Sequence, residues 1–299
     1  MELAALQAFL AVADQGSFSV AAERLYLTQP AISKRIKALE EELEVVLFDR
    51  IGRRVRLTHA GEVLLPKARE LVLQAQDMKH LASNLHAEVS GPLLLGTSHH
   101  IGLHRLPPVL RRYRTRHPEV ELDIRFMDSE AACREVEKGE LELAVVTLPT
   151  RPGAKLETRV LWEDPLEFVA APEHPLAGRR SVSLAELARH PAVLPGPTTY
   201  TRAILEQALA KAGHQITLGM STNYLETLKM LAEINLGWTL LPATICGESL
   251  RVLPVPLRLS RQLGVVTHRQ RTLSNPARAL LRLLSSQASA STTARTGAG

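Results

Sequence analysis

Cysteine is scarce: Cys133 and Cys246 are the two present, and they stand far apart in the chain. Two such thiols build neither a disulfide framework nor a cysteine-based zinc site, and they suit a reducing compartment. Cys246 has no basic neighbour to lower its pKa; Cys133 stands beside Arg134, yet both are expected to be inert. Long apolar runs are also missing. Nothing approaches the ~20 residues that span a bilayer, so no membrane partner is expected. The short apolar run near Met1 lacks a basic leader and has acidic residues at both ends, unlike a secretory signal, so a cytoplasmic location is expected. No nucleophile elbow, phosphate-binding glycine loop, dinucleotide fingerprint or paired-histidine zinc helix occurs, which argues against an enzyme, catalytic residues or a cofactor. The formal net charge is modest, +5. Over the first 90 positions acidic and basic residues nearly balance, so any polyanion-binding face must come from local clusters, at 34–37 and 50–56.

The rest of the composition is that of an ordinary globular protein, 45% apolar and 22% charged over 299 residues. That length predicts two or three domains. Leu3, Leu6, Phe9, Leu10 and Ala13 recur at helical spacing. Ser17 reads as the N-cap of a short helix to Leu25, and Tyr26-Leu27 as a turn. Thr28 reads as the N-cap of a further helix with Ile32, Ile36, Leu39 and Leu43 on one face; Pro30 is tolerated in its first turn. Val45–Arg50 and Val55–Thr58 read as a two-stranded wing. Thr58 then caps a long helix to about residue 88. In it Leu64, Ala68, Leu71, Ala75, Met78, Ala82 and Leu85 alternate spacings of four and three, predicting a coiled-coil seam and a dimer. The alternative is a helix packed on its own domain. Pro66 is expected to kink or shorten its first turns.

Gly91-Pro92 breaks this helix. Strand-like runs at Leu93–Thr97, Val120–Phe126, Leu141–Thr147, Leu166–Ala171, Gly237–Leu241 and Leu263–Thr267 then alternate with helical stretches near 104–116, 129–138, 201–212, 222–236 and 276–286. Such alternation predicts an α/β domain with largely parallel strands. The small, polar segment from Ser285 onward reads as disordered.

The string FLAVADQGSFSVAAERLYLTQPAISKRIKALEEELEVVLFDRIGRRVRLTHAG (9–61) carries SFS-x-AA-x-x-L, TQPA-x-S-x-x-I, L-E-x-x-L, LF-x-R and LT-x-AG in order. It resembles the LysR-type transcriptional regulators. Looser matches follow at Leu106-Pro107, RHPEVELDI (116–124), GELELAVV (139–146) and GWTLLP (237–242), so the resemblance covers nearly the whole chain. Glu142 stands where that family usually has Asp. The resemblance implies a winged helix-turn-helix (1–58), a dimerising linker helix (59–90) and a two-subdomain α/β effector-binding domain of periplasmic-binding-protein-like design (91–299). Subdomain I would comprise about 91–162 and 267–287, and subdomain II about 163–266, with a disordered tail at 288–299. It further implies double-stranded DNA and a small-molecule effector as partners, and a homodimer that assembles as a homotetramer.

For DNA, Gln29, Ser33 and Lys34 suit base edges in the major groove, and Pro30 suits a thymine methyl. Lys37, Arg53 and Arg54 are better placed for phosphates or the minor groove. Ser19 of the SFS segment joins the candidate set. For the effector, strand ends facing helix N-termini are the expected position. They carry Thr97, Ser98, His99 and His100, then Thr147, then Gly196, Thr198, Thr199 and Arg202, and finally Ser221 and Asn223. These donors suit a small anion, which His99 or His100 can pair with and Arg202 can grip. Ser98, Thr201 and Ser221 read equally well as N-caps. His100 and His104 share a helix face, but the sequence shows no third ligand nearby and Pro107-Pro108 disturbs the helix, so no metal is expected. The competing readings are a ligand-independent regulator, an enzyme carrying a DNA-binding domain, and a solute-binding transport protein.

Overall fold

The computed structural model describes residues 1–51, 54–86 and 88–296, the side chains at 50, 51, 54 and 288–296 excepted. Two compact units divide the chain: Met1–Ala87 with Arg271–Leu273, and Glu88–Gln270 with Ser274–Gly299. No helix among the described residues is long and apolar enough to cross a membrane.

In the first unit α1 (Leu3–Gln15) buries Leu6, Phe9 and Leu10. The Ser17 hydroxyl accepts from the Val20 N–H and starts α2 (Phe18–Arg24). Thr28 does the same for Ala31 at the start of α3 (Gln29–Leu43), which turns Ile32, Ile36 and Leu39 inward. The wing pairs β1 (Phe48–Ile51) with β2 (Arg54–Leu57) antiparallel. Its first strand starts three residues later than expected, because α3 runs on to Leu43 and Glu44 closes it in a left-handed conformation. Phe48 meets Phe9 and Phe18 edge-on, at 5.5 and 5.7 Å between centroids. Thr58 caps α4 (His59–Asn84) through the Gly61 N–H, and its own hydroxyl donates to the Val46 carbonyl. Gly61 is obligatory there: a Cβ would come within 2.3 Å of the Leu47 carbonyl oxygen.

Two expectations for α4 are revised. The helix is not shortened at Pro66, which lies inside it. A lost helix hydrogen bond costs about 3 kcal/mol in an unsupported helix, and packing of this turn onto α1 offsets it. The expected seam is also partly internal: Ala68 and Val72 are buried in the core around α1, with Leu64 packed against it. Leu71, Met78, Leu81 and Leu85 remain exposed.

The second unit runs β3 (Gly91–Thr97), α5 (His99–His104), α6 (Pro107–Arg116), β4 (Val120–Phe126), α7 (Ser129–Lys138), β5 (Leu143–Thr147), β6 (Leu156–Ala170), α8 (Leu184–Arg189), β7 (Ala192–Leu194), α9 (Tyr200–Lys211), β8 (Leu218–Ser221), α10 (Leu225–Glu233), β9 (Thr239–Pro242), β10 (Arg251–Val252), β11 (Leu259–His268) and α11 (Asn275–Thr296). The helix expected near 104–116 begins instead at Pro107, since proline suits a first turn, and a separate short helix, α5, precedes it. The large sheet has the order β10-β6-β11-β5-β3-β4, with β9 also on β6, and β7 pairs β8 apart from it. It is mixed rather than largely parallel. β3 is parallel to β4 and β5, but β11 lies antiparallel between β5 and β6. β11 returns from the far end of the sequence and fills the gap between two co-directional strands. β6 and β11 are the longest strands of the sheet and pair with each other along most of their length. Most of β6 escaped sequence reading because charged residues and Pro165 interrupt its apolar run.

The chain also departs from the expected disordered tail, being helical to Thr296; 297–299 lie outside the described residues. Leu280, Leu283 and Leu284 anchor α11, and extending a nucleated helix through Ala288, Ala290 and Ala294 needs no new nucleus. Glu142 gains a role here: it accepts from the Ser274 N–H at 2.6 Å and hydroxyl at 3.0 Å, while the Ser274 hydroxyl accepts from Ala277 at the start of α11.

Candidate functional site

Two surfaces gather the candidate residues. On α3, Gln29, Pro30, Lys34 and Lys37 are exposed and Ser33 is half-buried, while Ser19 is exposed on α2. The Gln29 amide donates to the Ser33 hydroxyl at 3.1 Å, so the two present one joint set of donors and acceptors. Lys37 lies 3.6 Å from Glu41 with both groups well hydrated; such a pair is weak and leaves the ammonium free to exchange partners. Arg53 lies outside the described residues, as does the side chain of Arg54.

The second surface is a narrow cleft enclosing about 60 Å³ at the carboxyl ends of β3, β5 and β7. It brings together Ser98, His99, His100, Thr147, Thr199 and Asn223 from the expected set. Gly196 stands beside it, its N–H donating to Asn223 Oδ1 at 2.9 Å. The other expected residues fall elsewhere. Thr97 is fully buried and donates to the Val145 carbonyl at 2.8 Å, because successive strand residues face opposite ways. Thr198 lines a neighbouring hollow with Tyr200. Ser221 is exposed at the end of β8, off the cleft lining, and the N-cap of α10 is Tyr224 instead. Arg202 is buried and its Nε donates to Glu206 at 2.7 Å beside a different hollow. One residue advances a helix by about 100°, so Thr201 faces the cleft and Arg202 turns away.

Sequence reading missed Asp128, Ser129, Glu130, Tyr224 and Arg261 on the cleft wall. Asp128-Ser129 was findable: it follows a strand and opens a helix, as Ser98 does. Asp128 Oδ2 accepts from the Asn223 amide at 2.6 Å, and the Ser129 hydroxyl accepts from the Thr147 N–H at 3.1 Å. Glu130 accepts from the Tyr200 N–H, the first of α9. Burial pushes the Glu130 carboxyl above the usual carboxylate range, and that hydrogen bond partly opposes the rise. Thus the starts of α7, α9 and α10 converge on the cleft with the positive ends of their dipoles, and two carboxylates at the start of α7, Asp128 and Glu130, already reach toward the other two.

Arg261 is held from behind. Its Nε donates to Asp164 at 2.9 Å and Nη1 to the Thr201 hydroxyl at 3.1 Å; Arg105 reaches the same carboxylate at 3.3 Å. Asp164 and Arg261 are cross-strand partners on β6 and β11, and both are buried. Burial lowers the Arg261 pKa from its ordinary value, and Asp164 opposes that. Burial, then the Arg261 charge, hold the His100 ring at about 4, so it is neutral at pH 7. Burial raises both cysteine thiols to about 11.

These two surfaces, a helix-turn-helix with its wing and a cleft at strand ends and helix starts, define the architecture of the chain. Residues 3–62 match the family described as bacterial regulatory helix-turn-helix protein, lysR family, and residues 86–289 match the LysR substrate binding domain. The chain is 62% identical over 108 residues to an uncharacterised helix-turn-helix-type transcriptional regulator in the ibpB-leuC intergenic region of Azotobacter vinelandii, covering 36% of this chain and 75% of that one. It is 31% identical over 248 residues to the transcriptional regulator AlsR of Bacillus subtilis strain 168, covering 82% and 81%. A full-length OxyR variant from Pseudomonas aeruginosa superposes with a TM-score of 0.68 at 24% identity, covering 95% and 98% of the two chains. The chain belongs to the LysR family of helix-turn-helix transcriptional regulators.

Proposed function

We propose that this regulator binds operator DNA through α3 and the wing, and that a small anionic metabolite in the cleft modulates that binding. The domains divide as 1–58 for DNA, 59–90 for dimerisation and 91–299 for the effector, with a homotetramer as the working assembly and no catalytic step. On the DNA side, Gln29, Pro30, Ser33 and Lys34 read bases, while Ser19, Lys37, Arg53 and Arg54 serve positioning.

The observation that carries the effector reading is the convergence of helix N-termini, the Ser98, Ser129 and Thr201 hydroxyls and the Arg261 guanidinium on one cleft. Such donors favour a carboxylate or similar oxyanion. Asp128 and Glu130 in the same wall add acceptors. The ligand that satisfies both sets carries an anionic group together with hydroxyl or amino hydrogens, as a hydroxy acid does. Bound across α7 and α9, it favours one arrangement of the subdomains by its differential affinity for that arrangement.

The test is a thermal-shift screen of the full chain against small hydroxy, keto and amino acids and inorganic anions, each paired with a neutral amide or alcohol analogue. At a hundred times its Kd a true effector adds about 2.7 kcal/mol, a clear rise in Tm. Stabilisation by no anion, or equally by the neutral analogues, would overturn the anion reading.

A further inference from the structure

Among the described residues, one group of metal-binding side chains draws its donor atoms to within 4.8 Å of one another: His100, His104 and Glu226. The two histidines lie four apart on α5, on one helix face, with ring centroids 4.9 Å apart. Glu226 comes from the first turn of α10, and its Oε1 is 3.2 Å from His104 Nε2. Deprotonated ring nitrogens and a carboxylate are the donors that zinc and its neighbours in the first transition row take.

His100 makes this more than a chance proximity. Its side chain is 4% exposed, and neither ring nitrogen has a hydrogen-bond partner. A buried polar atom left unpaired costs about 1–3 kcal/mol, so a ring with two such atoms calls for a partner. A water can serve one nitrogen, but a metal ion explains why a second histidine and a carboxylate stand at the same spot. A four-coordinate ion holding donors at about 2.0–2.2 Å sets them about 3.3–3.6 Å apart. His104 and Glu226, 3.2 Å apart, stand close to that spacing, and the His100 donor lies within 4.8 Å of both.

We propose that His100, His104 and Glu226 form a three-ligand site for a divalent transition ion of the zinc type. The ion ties α5 to α10, 122 residues apart in the chain, beside the proposed effector cleft. Three protein ligands leave a coordination position open to water or to an anion. Magnesium and calcium, which want oxygen donors in greater number, fit it poorly.

The full chain, stripped with a chelator and free of any organic ligand, is titrated with zinc alone by calorimetry and with cobalt followed by its visible absorption. The expected result is one ion per chain, none with magnesium, and cobalt bands of a four- or five-coordinate ion. Both His104 and Glu226 are about half exposed, at 44% and 47%, so His104→Ala and Glu226→Gln should fold, as circular dichroism will show. Each should weaken binding at least tenfold. Zinc binding weaker than millimolar, or unchanged in both variants because the ion sits elsewhere, would overturn the site. The anion reading is tested without metal, so either can fail alone.

Discussion

Gln29 and Ser33 stand one helical turn apart at the start of α3 and are already joined by a hydrogen bond. Holding two short polar groups in a fixed relation lowers the entropy lost when they meet a base edge. Ser33 carries no charge, so its removal does not touch the phosphate term that governs binding to any sequence. A good bidentate base contact is worth about 1–3 kcal/mol of discrimination, and a lone hydroxyl stands at the low end of that range. Ser33→Ala should therefore weaken binding to operator DNA by roughly fivefold, with random DNA unchanged. Lys34→Ala should lose specific binding more than non-specific binding. A competitive gel shift measures both, and equal loss on random DNA in both variants removes the base-reading role.

At the scale of the element, α4 divides its apolar side chains between two duties. Ala68 and Val72 close the core of the first unit. Leu71, Met78 and Leu85, seven apart, are 40%, 71% and 87% exposed, with Leu81 beside them at 56%. A helix with that many hydrated large apolar groups along a heptad line is built for a second helix. We propose that this half of α4 forms the dimer seam, shorter than periodicity alone indicated. Met78→Glu with Leu85→Glu should leave the fold intact and yield a monomer at micromolar concentration by light scattering on size exclusion. A dimer that persists in the double variant rules this seam out.

At the scale of the whole second unit, its two longest strands, β6 and β11, share one buried charge arrangement. Asp164 takes both Arg261 and Arg105, and all but Arg105 are nearly inaccessible. Removing one partner of a buried pair leaves an uncompensated charge, a loss of about 3–5 kcal/mol. Asp164→Ala should lower the urea midpoint accordingly. Trp162 and Trp238, the two tryptophans of the chain, both lie in this unit, so their fluorescence isolates its transition. A loss below about 1 kcal/mol would mean that the arginines find other partners or water.

The N-caps at Ser17, Thr28 and Thr58 and the helix faces were legible in the sequence by itself, whereas the cap of α9 fell on Thr199 rather than on Thr201. Each legible feature depends on hydrogen bonds or periodicities within a few residues, which the chain spells out locally. The cleft was half legible: strand ends and helix starts located Ser98, Thr147, Thr199 and Asn223, but which side chains face inward depends on strand pleat and helix phase, and this excluded Thr97 and Arg202. Tertiary structure alone decided three things. It slid β11 between β5 and β6, set Arg261 against Asp164, and carried Glu226 to His104. These partners are separated by 97 and 122 residues, and such a meeting is fixed by sheet register and subdomain packing, for which no local propensity speaks.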